Sequence, residues 1–358
     1  MSDGSGRRLS ITILVLFLVI LVYFFAVAEP LYPELSVAPR WTIDIGASSA
    51  NTADSVSGSE LFSFSSGNHN GYFSLDGKGF TIPVATERVI VSDASYVLLK
   101  DDSSGSELKS PQGSLIADIA SSSVFFSGGR LFSSEDEGTG LNAYDVGGQK
   151  LWSYTFPCQL SAFASGDNLV VGGTVDGWLE GIRPDGVKAF SFSPGGSRLS
   201  VILGLGVSQS GQWLAAISGI DRQRLVVLGR GGTDFKVSSH RYLDTDYREP
   251  LRVIVMDDDR HVLYRRPDGI GVWSVDGSVN EVLPVKADDF DISLDRTKNI
   301  AYLVARRGHK SEIVAFRLPA TLLGRIALPD TSEYVRFVGS SAFVGGGSWL
   351  LRFDFVEE

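Results

Sequence analysis

Cysteine is almost missing from this sequence, since Cys158 is the single thiol in 358 residues. One thiol excludes an intrachain disulfide framework and any zinc site built on several thiolates; beside Pro157 it reads as a small core residue. Histidine is scarce too. The four, His69, His240, His261 and His309, show no metal-ligand spacing such as His-x-x-x-His and read as turn or surface residues. No Gly-x-Ser-x-Gly elbow, P-loop or Gly-x-Gly-x-x-Gly is present, so hydrolase and nucleotide chemistry have no local signal. Positive charge is in deficit: 32 Lys and Arg face 42 Asp and Glu, a formal charge of -10. Such a field repels phosphate backbones, and no nucleic-acid partner is expected.

Long apolar runs are absent after the first thirty residues, and so is any sustained helical period. What is there instead is 40 glycines, 38 aromatic residues (21 Phe, 11 Tyr, 6 Trp) and many short apolar stretches, a composition of strands and tight turns. The one long apolar run is residues 9–28, LSITILVLFLVILVYFFAVA, without a charge. As a helix it spans about 30 Å, a bilayer's hydrocarbon thickness. Arg7 and Arg8 precede it and Glu29 and Glu34 follow, which keeps residues 1–8 cytoplasmic and exports the rest. Two outcomes stay open: a retained signal-anchor, or a signal peptide cleaved after Ala28, where Ala26-Val27-Ala28 fits an A-x-A site. Residues 29–39, with Pro30, Pro33 and Pro39, read as an extended linker. The expected location is a bacterial inner membrane, with residues 40–358 facing the periplasm or exterior.

Those residues repeat. A turn of Ser, Gly or Asp precedes an apolar strand beginning at Leu61, Tyr96, Leu131, Leu169, Trp213, Val262, Ile300 and Ala342, in steps of 35, 35, 38, 44, 49, 38 and 42. A period near forty is that of β-propeller blades. Between the marks lie strand-turn units ending in Asp76-Gly77, Asp145-Val146-Gly147, Asp185-Gly186 and Asp276-Gly277, whose residues tolerate φ > 0. Each repeat therefore offers four strands, and the fold class is an all-β, single propeller of about eight four-stranded blades.

The last repeat stops one strand short. Residues 40–45 resemble the outer strand 150–156, so the N-terminal strand is expected to close the last blade against 349–355 and bury both edges. Trp41, Trp152, Trp178, Trp213, Trp273 and Trp349 read as inter-blade packing. The step lengths point to an insertion at 238–250 that leaves the ring. Within it, His240, Arg241, Tyr242, Tyr247 and Arg248 form the candidate interaction loop.

Residues 141–152, with Ala143-x-Asp145 followed by Gly147 and Trp152, resemble the quinoprotein-type repeat. Residues 207–215 and 292–302 look like the repeat of WD40-like periplasmic propellers. The resemblance implies an eight-bladed ring, and in fold the chain resembles the propeller lipoprotein of outer-membrane barrel assembly, whose role is protein binding. Here a helix stands where that family carries a lipidated cysteine. Quinone-dependent relatives use a vicinal disulfide and calcium; Cys158 alone cannot form the first. The clusters 257–259 and 288–289 with 291 read as charged turns rather than calcium sites, and 134–139, which resembles a sialidase Asp-box without its Thr spacing and aromatic, reads as a solvated acidic loop. The expectation is thus a scaffold without catalysis, cofactor or metal, bound to a protein partner in or near the cell envelope and to the membrane through its helix. The alternative is a sugar or quinone site in the central channel.

Overall fold

The computed structural model describes residues 14–18, 35–46, 60–83, 88–100, 104–232 and 234–357. Residues 14–18 are helical and exposed. The rest of the predicted membrane segment 9–28, and 29–34 of the predicted linker, lie outside the described residues. Among the described residues no helix is long and apolar enough to cross a membrane.

Residues 35–356 form a unit of eight antiparallel sheets, seven four-stranded and one three-stranded. This is the eight-bladed all-β propeller. In the third blade, Val124–Ser127 is innermost, followed outward by Arg130–Glu135, Gly140–Tyr144 and Lys150–Thr155. The middle strands are apolar on both faces because each sheet is sandwiched between two neighbours; Leu225 to Leu228 in the fifth blade are fully buried. Outer strands alternate, as in Lys150–Thr155, because successive side chains point to opposite faces of the sheet and one face is better covered than the other there.

The ring closes as the repeat pattern requires. Leu35–Asp44 lies beside Trp349–Glu357 as the outer strand of the eighth blade. Ile45 N–H donates to the Ser348 carbonyl at 2.6 Å, matching Phe156 N–H to Thr139 at 2.8 Å in the third blade. Arg40 pairs with Asp354 at 2.6 Å. The strand begins at Leu35, so 35–39 of the predicted linker already belong to the blade. Pro39 is accommodated because an outermost edge needs no donor there.

The turn between third and outer strands is where blades interlock. Gly186 has φ +81, and a Cβ there would lie 2.6 Å from Trp152 of the preceding blade, whose Nε1–H donates to the Pro184 carbonyl at 3.0 Å. Trp41 repeats this contact, capping Gly77 and donating to the Leu75 carbonyl at 3.0 Å. That correspondence sets the phase of the three-stranded blade: Gly79–Thr81 is outermost, His69–Phe73 third and Phe62–Ser66 second. The residues before Glu60, where an innermost strand would stand, lie outside the described residues. There Arg336, on the innermost strand Tyr334–Val338 of the eighth blade, reaches past the first blade. It forms two 2.6 Å bonds to Asp93 in the second blade, while Ser63 N–H and Oγ donate to the same carboxylate at 2.9 Å.

Several carboxylates sit below the usual range although burial opposes it. Arg336 and Ser63 lower Asp93; His261 and backbone N–H groups lower Asp258; Ser341, Arg352 and Arg40 lower Asp354. Hydrogen bonds from Ser274 and Ser278 bring Asp276 to about 2. Unfolded aspartates titrate near 3.9, so the unfolded chain binds more protons than the folded one and this stabilisation is complete above about pH 5. It is lost as pH falls through the lowered folded values. The melting temperature is expected to be level from pH 5 to 7 and to drop steadily below pH 4. A midpoint unchanged at pH 3 would contradict the assignment.

Candidate interaction face

The predicted interaction loop is only partly a loop. His240, Arg241 and Tyr242 belong to the outer strand Asp234–Tyr242 of the fifth blade, opposite Val226, Leu225 and Arg224. This corrects the start of the predicted insertion 238–250: residues 238–242 stay in the blade, and only 243–250 run outside the strands. A bulge at Val227/Leu228 admits an extra residue and breaks the alternation that would have marked the strand. The long repeat step comes from an eight- and a nine-residue strand, Arg224–Gly231 and Asp234–Tyr242, followed by an irregular connection to Val253–Val255.

That connection is anchored by the fully buried Gln223. Its amide donates to the Tyr247 carbonyl at 2.6 Å, its side-chain oxygen accepts from Thr245 Oγ1 at 2.5 Å, and its own carbonyl accepts from Leu243 N–H at 2.9 Å. Guanidinium groups then stack on the rings. Arg222 lies 3.8 Å above the centre of Tyr242, with Arg224 at 5.5 Å on the same ring. Arg265 lies 4.6 Å from Tyr247 and pairs with Glu249 at 2.6 Å; Arg241 lies 5.6 Å from Trp273 and bonds Asn280. Exposed contacts of this kind stabilise by about 0.5–1 kcal/mol each, enough to fix side chains in place before a partner arrives. His240 is exposed beside Tyr242, and Arg248 is exposed on the connection. The structure thus fixes Tyr242 under Arg222 and Arg224 and Tyr247 on Gln223, and turns Arg241 toward the sixth blade.

The surface extends further than the sequence indicated. Val175 and Trp178 stand in the turn between Leu169–Thr174 and Leu179–Ile182 of the fourth blade, and Leu199 in the connection leaving it. Their exposures are 43%, 44% and 58%, beside 38% for Tyr242. Trp178 therefore departs from the predicted packing role that Trp41 and Trp152 fulfil. Its signal was its place in Asp176-Gly177-Trp178, a turn, where no strand alternation directs it inward. Successive loops are joined side by side: Ser200 Oγ donates to the Asp176 carbonyl at 3.2 Å, and Arg198 pairs with Asp221 at 3.2 Å. The Ser197 hydroxyl, with Arg198, holds the Asp221 carboxyl well below the usual carboxylate range. Gly196 lies directly beneath the Tyr242 hydroxyl. The result is a continuous arc of apolar and cationic groups on the face carrying the second-to-third turns.

The charged clusters have structural partners. Asp258 caps the N–H groups of Arg260 and His261 and binds the His261 ring at 2.6 Å, while Asp259 accepts from Ser210 at 2.8 Å. Asp289 pairs with Arg306 at 3.1 Å. Residues 136–138 form a short 3-10 turn. Among the described residues no three His, Cys, Asp or Glu side chains converge as metal ligands.

A protein-family profile described as beta-propeller protein matches residues 6–358. An uncharacterized protein of Treponema pallidum (strain Nichols) is 23% identical over 319 residues, covering 86% of this chain and 84% of its own. Among solved structures, BamB from Moraxella catarrhalis superimposes with a TM-score of 0.56 at 12% identity, over 90% of this chain and 99% of that one. The computationally designed Ika8 protein gives 0.56 at 17% identity, over 83% and 96%. The WD40 domain of Toxoplasma gondii coronin gives 0.54 at 12%, over 93% and 89%. At these identities the likeness is one of fold. By the profile match, which spans all eight blades, the chain belongs to the beta-propeller protein family.

Proposed function

We propose that this protein is a non-catalytic, membrane-tethered scaffold that displays its propeller outside the cytoplasm and binds a protein partner through the arc on blades four to six. The observation that carries this reading is the combination on one face of exposed Val175, Trp178, Leu199 and Tyr242 with guanidinium groups held on rings, on a chain of net charge -10. Aromatic and arginine side chains dominate binding hot spots. The complementary partner carries an apolar anchor bordered by carboxylates. The tether rests on the uncharged run 9–28 and the charge asymmetry around it; the profile match begins at residue 6 and includes that run. The resembled propeller lipoprotein also acts by protein binding.

Photo-crosslinking from position 178 or 242 in intact cells tests the reading. A discrete protein partner is expected from either position, and, with the crosslinker moved to position 199 on the same arc, Trp178→Ala with Tyr242→Ala should reduce its capture by roughly ten-fold or more. No partner from either position, or capture unchanged in the double variant, would overturn it.

A further inference from the structure

The rim between the sixth and seventh blades holds a concavity of about 480 Å³ lined by Lys286, Arg307, Lys310, Ser311, Glu312 and Arg325. Four cationic side chains face one carboxylate, although the whole chain carries an acidic excess. They come from three elements. Lys286 lies on the connection between blades, Arg307 and Lys310 on the hairpin Ile300–Arg307 and Lys310–Arg317, and Arg325 on the outer strand Thr321–Ala327.

Neighbouring arginines on this face have carboxylate partners: Arg265 with Glu249 at 2.6 Å, Arg266 with Asp268 at 2.9 Å and Arg306 with Asp289 at 3.1 Å. Those pairings commit Glu249, Asp268 and Asp289, and Asp288 is held by Arg265 at 3.3 Å and by Gly308 N–H at 3.2 Å. Lys286, Arg307 and Lys310 have no such ion pair among the described residues. Arg325 is steered by its bond to the Pro284 carbonyl at 2.6 Å, which leaves other guanidinium donors available. Arg307 also stands directly opposite Lys310 in the antiparallel register, across the two-residue loop 308–309. Like charges in that position destabilise a hairpin unless something negative lies between them.

We propose that this concavity binds a multivalent phosphate group. A single carboxylate would neutralise one of the cations. A multivalent phosphate offers several charges and acceptor oxygens at once, matching the fork of an arginine and the point charges of lysines. The volume suits a compact ligand, and the acidic remainder of the ring repels an extended phosphate polymer. The group can be free in solution or the headgroup of a lipid.

Isothermal titration of the full-length chain in neutral detergent at low salt, with sodium pyrophosphate and separately with dihexanoyl phosphatidic acid, tests the proposal. Saturable binding of at least one is expected, and whichever binds more tightly identifies the source. Arg307→Gln with Lys310→Gln should weaken it about ten-fold or more, and Glu312→Gln should tighten it several-fold. With no ligand the double variant should melt at or above the parent temperature, because it removes a repulsion. Lys236→Gln, on the outer strand of the fifth blade, should leave binding unchanged. Absence of binding to both probes overturns the proposal. So does equal affinity in the parent and the two charge variants.

Discussion

Replacing residues 35–46 by a glycine-serine linker of equal length in the full chain is expected to abolish the cooperative urea transition of the propeller, or to lower its stability by about 6 kcal/mol or more. The replaced strand contributes Trp41, Ile43 and Ile45 to the core between the eighth and first blades, against Phe62, Phe73, Phe343 and Leu350. Truncating one large aromatic costs about 3 kcal/mol and each isoleucine about 2, before the strand bonds are counted. Domains are stable by only about 5–15 kcal/mol, so the loss consumes most or all of the margin. Trp41→Ala alone should cost about 3 kcal/mol and leave a folded ring, since it removes the packing on Gly77 and the bond to Leu75. Tryptophan fluorescence across a urea titration reads both. An unchanged midpoint in the linker variant would mean that the closing strand is dispensable.

Gly177→Ala should be the most damaging single methyl group on the interaction face. Gly177 has φ +88, and a Cβ there would lie 1.7 Å from the Ser200 carbonyl oxygen, a backbone atom that has no rotamer with which to retreat. The left-handed backbone costs about 1–2 kcal/mol for a residue with a Cβ, and the clash about 1–3 kcal/mol more. The loop carrying Leu199 has to move away from Trp178, so crosslinking from position 178 should fall together with stability. Gly195→Ala is the matched control. Its φ of +63 imposes the same backbone penalty, but nothing lies within 4 Å of the added carbon. Its expected cost is about 1 kcal/mol, with the arc intact. Equal destabilisation by the two substitutions, measured by thermal melting, would remove the steric argument and leave only the backbone term.

The ring was legible because its signals are local and repeated. A turn before each second strand recurs whatever the neighbouring blade does, an Asp-Gly turn follows the third strand in the first, fourth and sixth blades, and Trp41 stands to Ile45 as Trp152 stands to Phe156. The same logic misled at 238–242. Lys236, Ser238 and His240 are polar because they face solvent from an outer edge, and the bulge puts two residues against one on the partner strand. Polarity with broken alternation reads as loop. The candidate face was half legible. Tyr242 and Tyr247 stand in the longest, 49-residue step, whereas Trp178 and Leu199 lie in the 44-residue step between Leu169 and Trp213, where no stretch marks them as a loop for binding, and adjacency of Gly177 to Ser200 is a tertiary fact. The cationic concavity was hidden for a similar reason, since its four charges are distributed from Lys286 to Arg325 and only the hairpin register sets Arg307 against Lys310.

The distance in sequence between the two halves of the closing pair also bears on how the molecule is made. Arg40 and Asp354 are separated by 314 residues, so the strand that seals the eighth blade leaves the ribosome long before its partner exists. The intervening blades can form in order as they emerge, since their strands pair within a few tens of residues. The first and last cannot complete their shared core until that long loop closes. Until then Trp41, Ile43 and Ile45 are apolar groups on an unpaired edge. Final assembly is therefore a post-synthetic step. Chaperones have most reason to act on this protein in the interval between the emergence of Leu35 and that of Phe355.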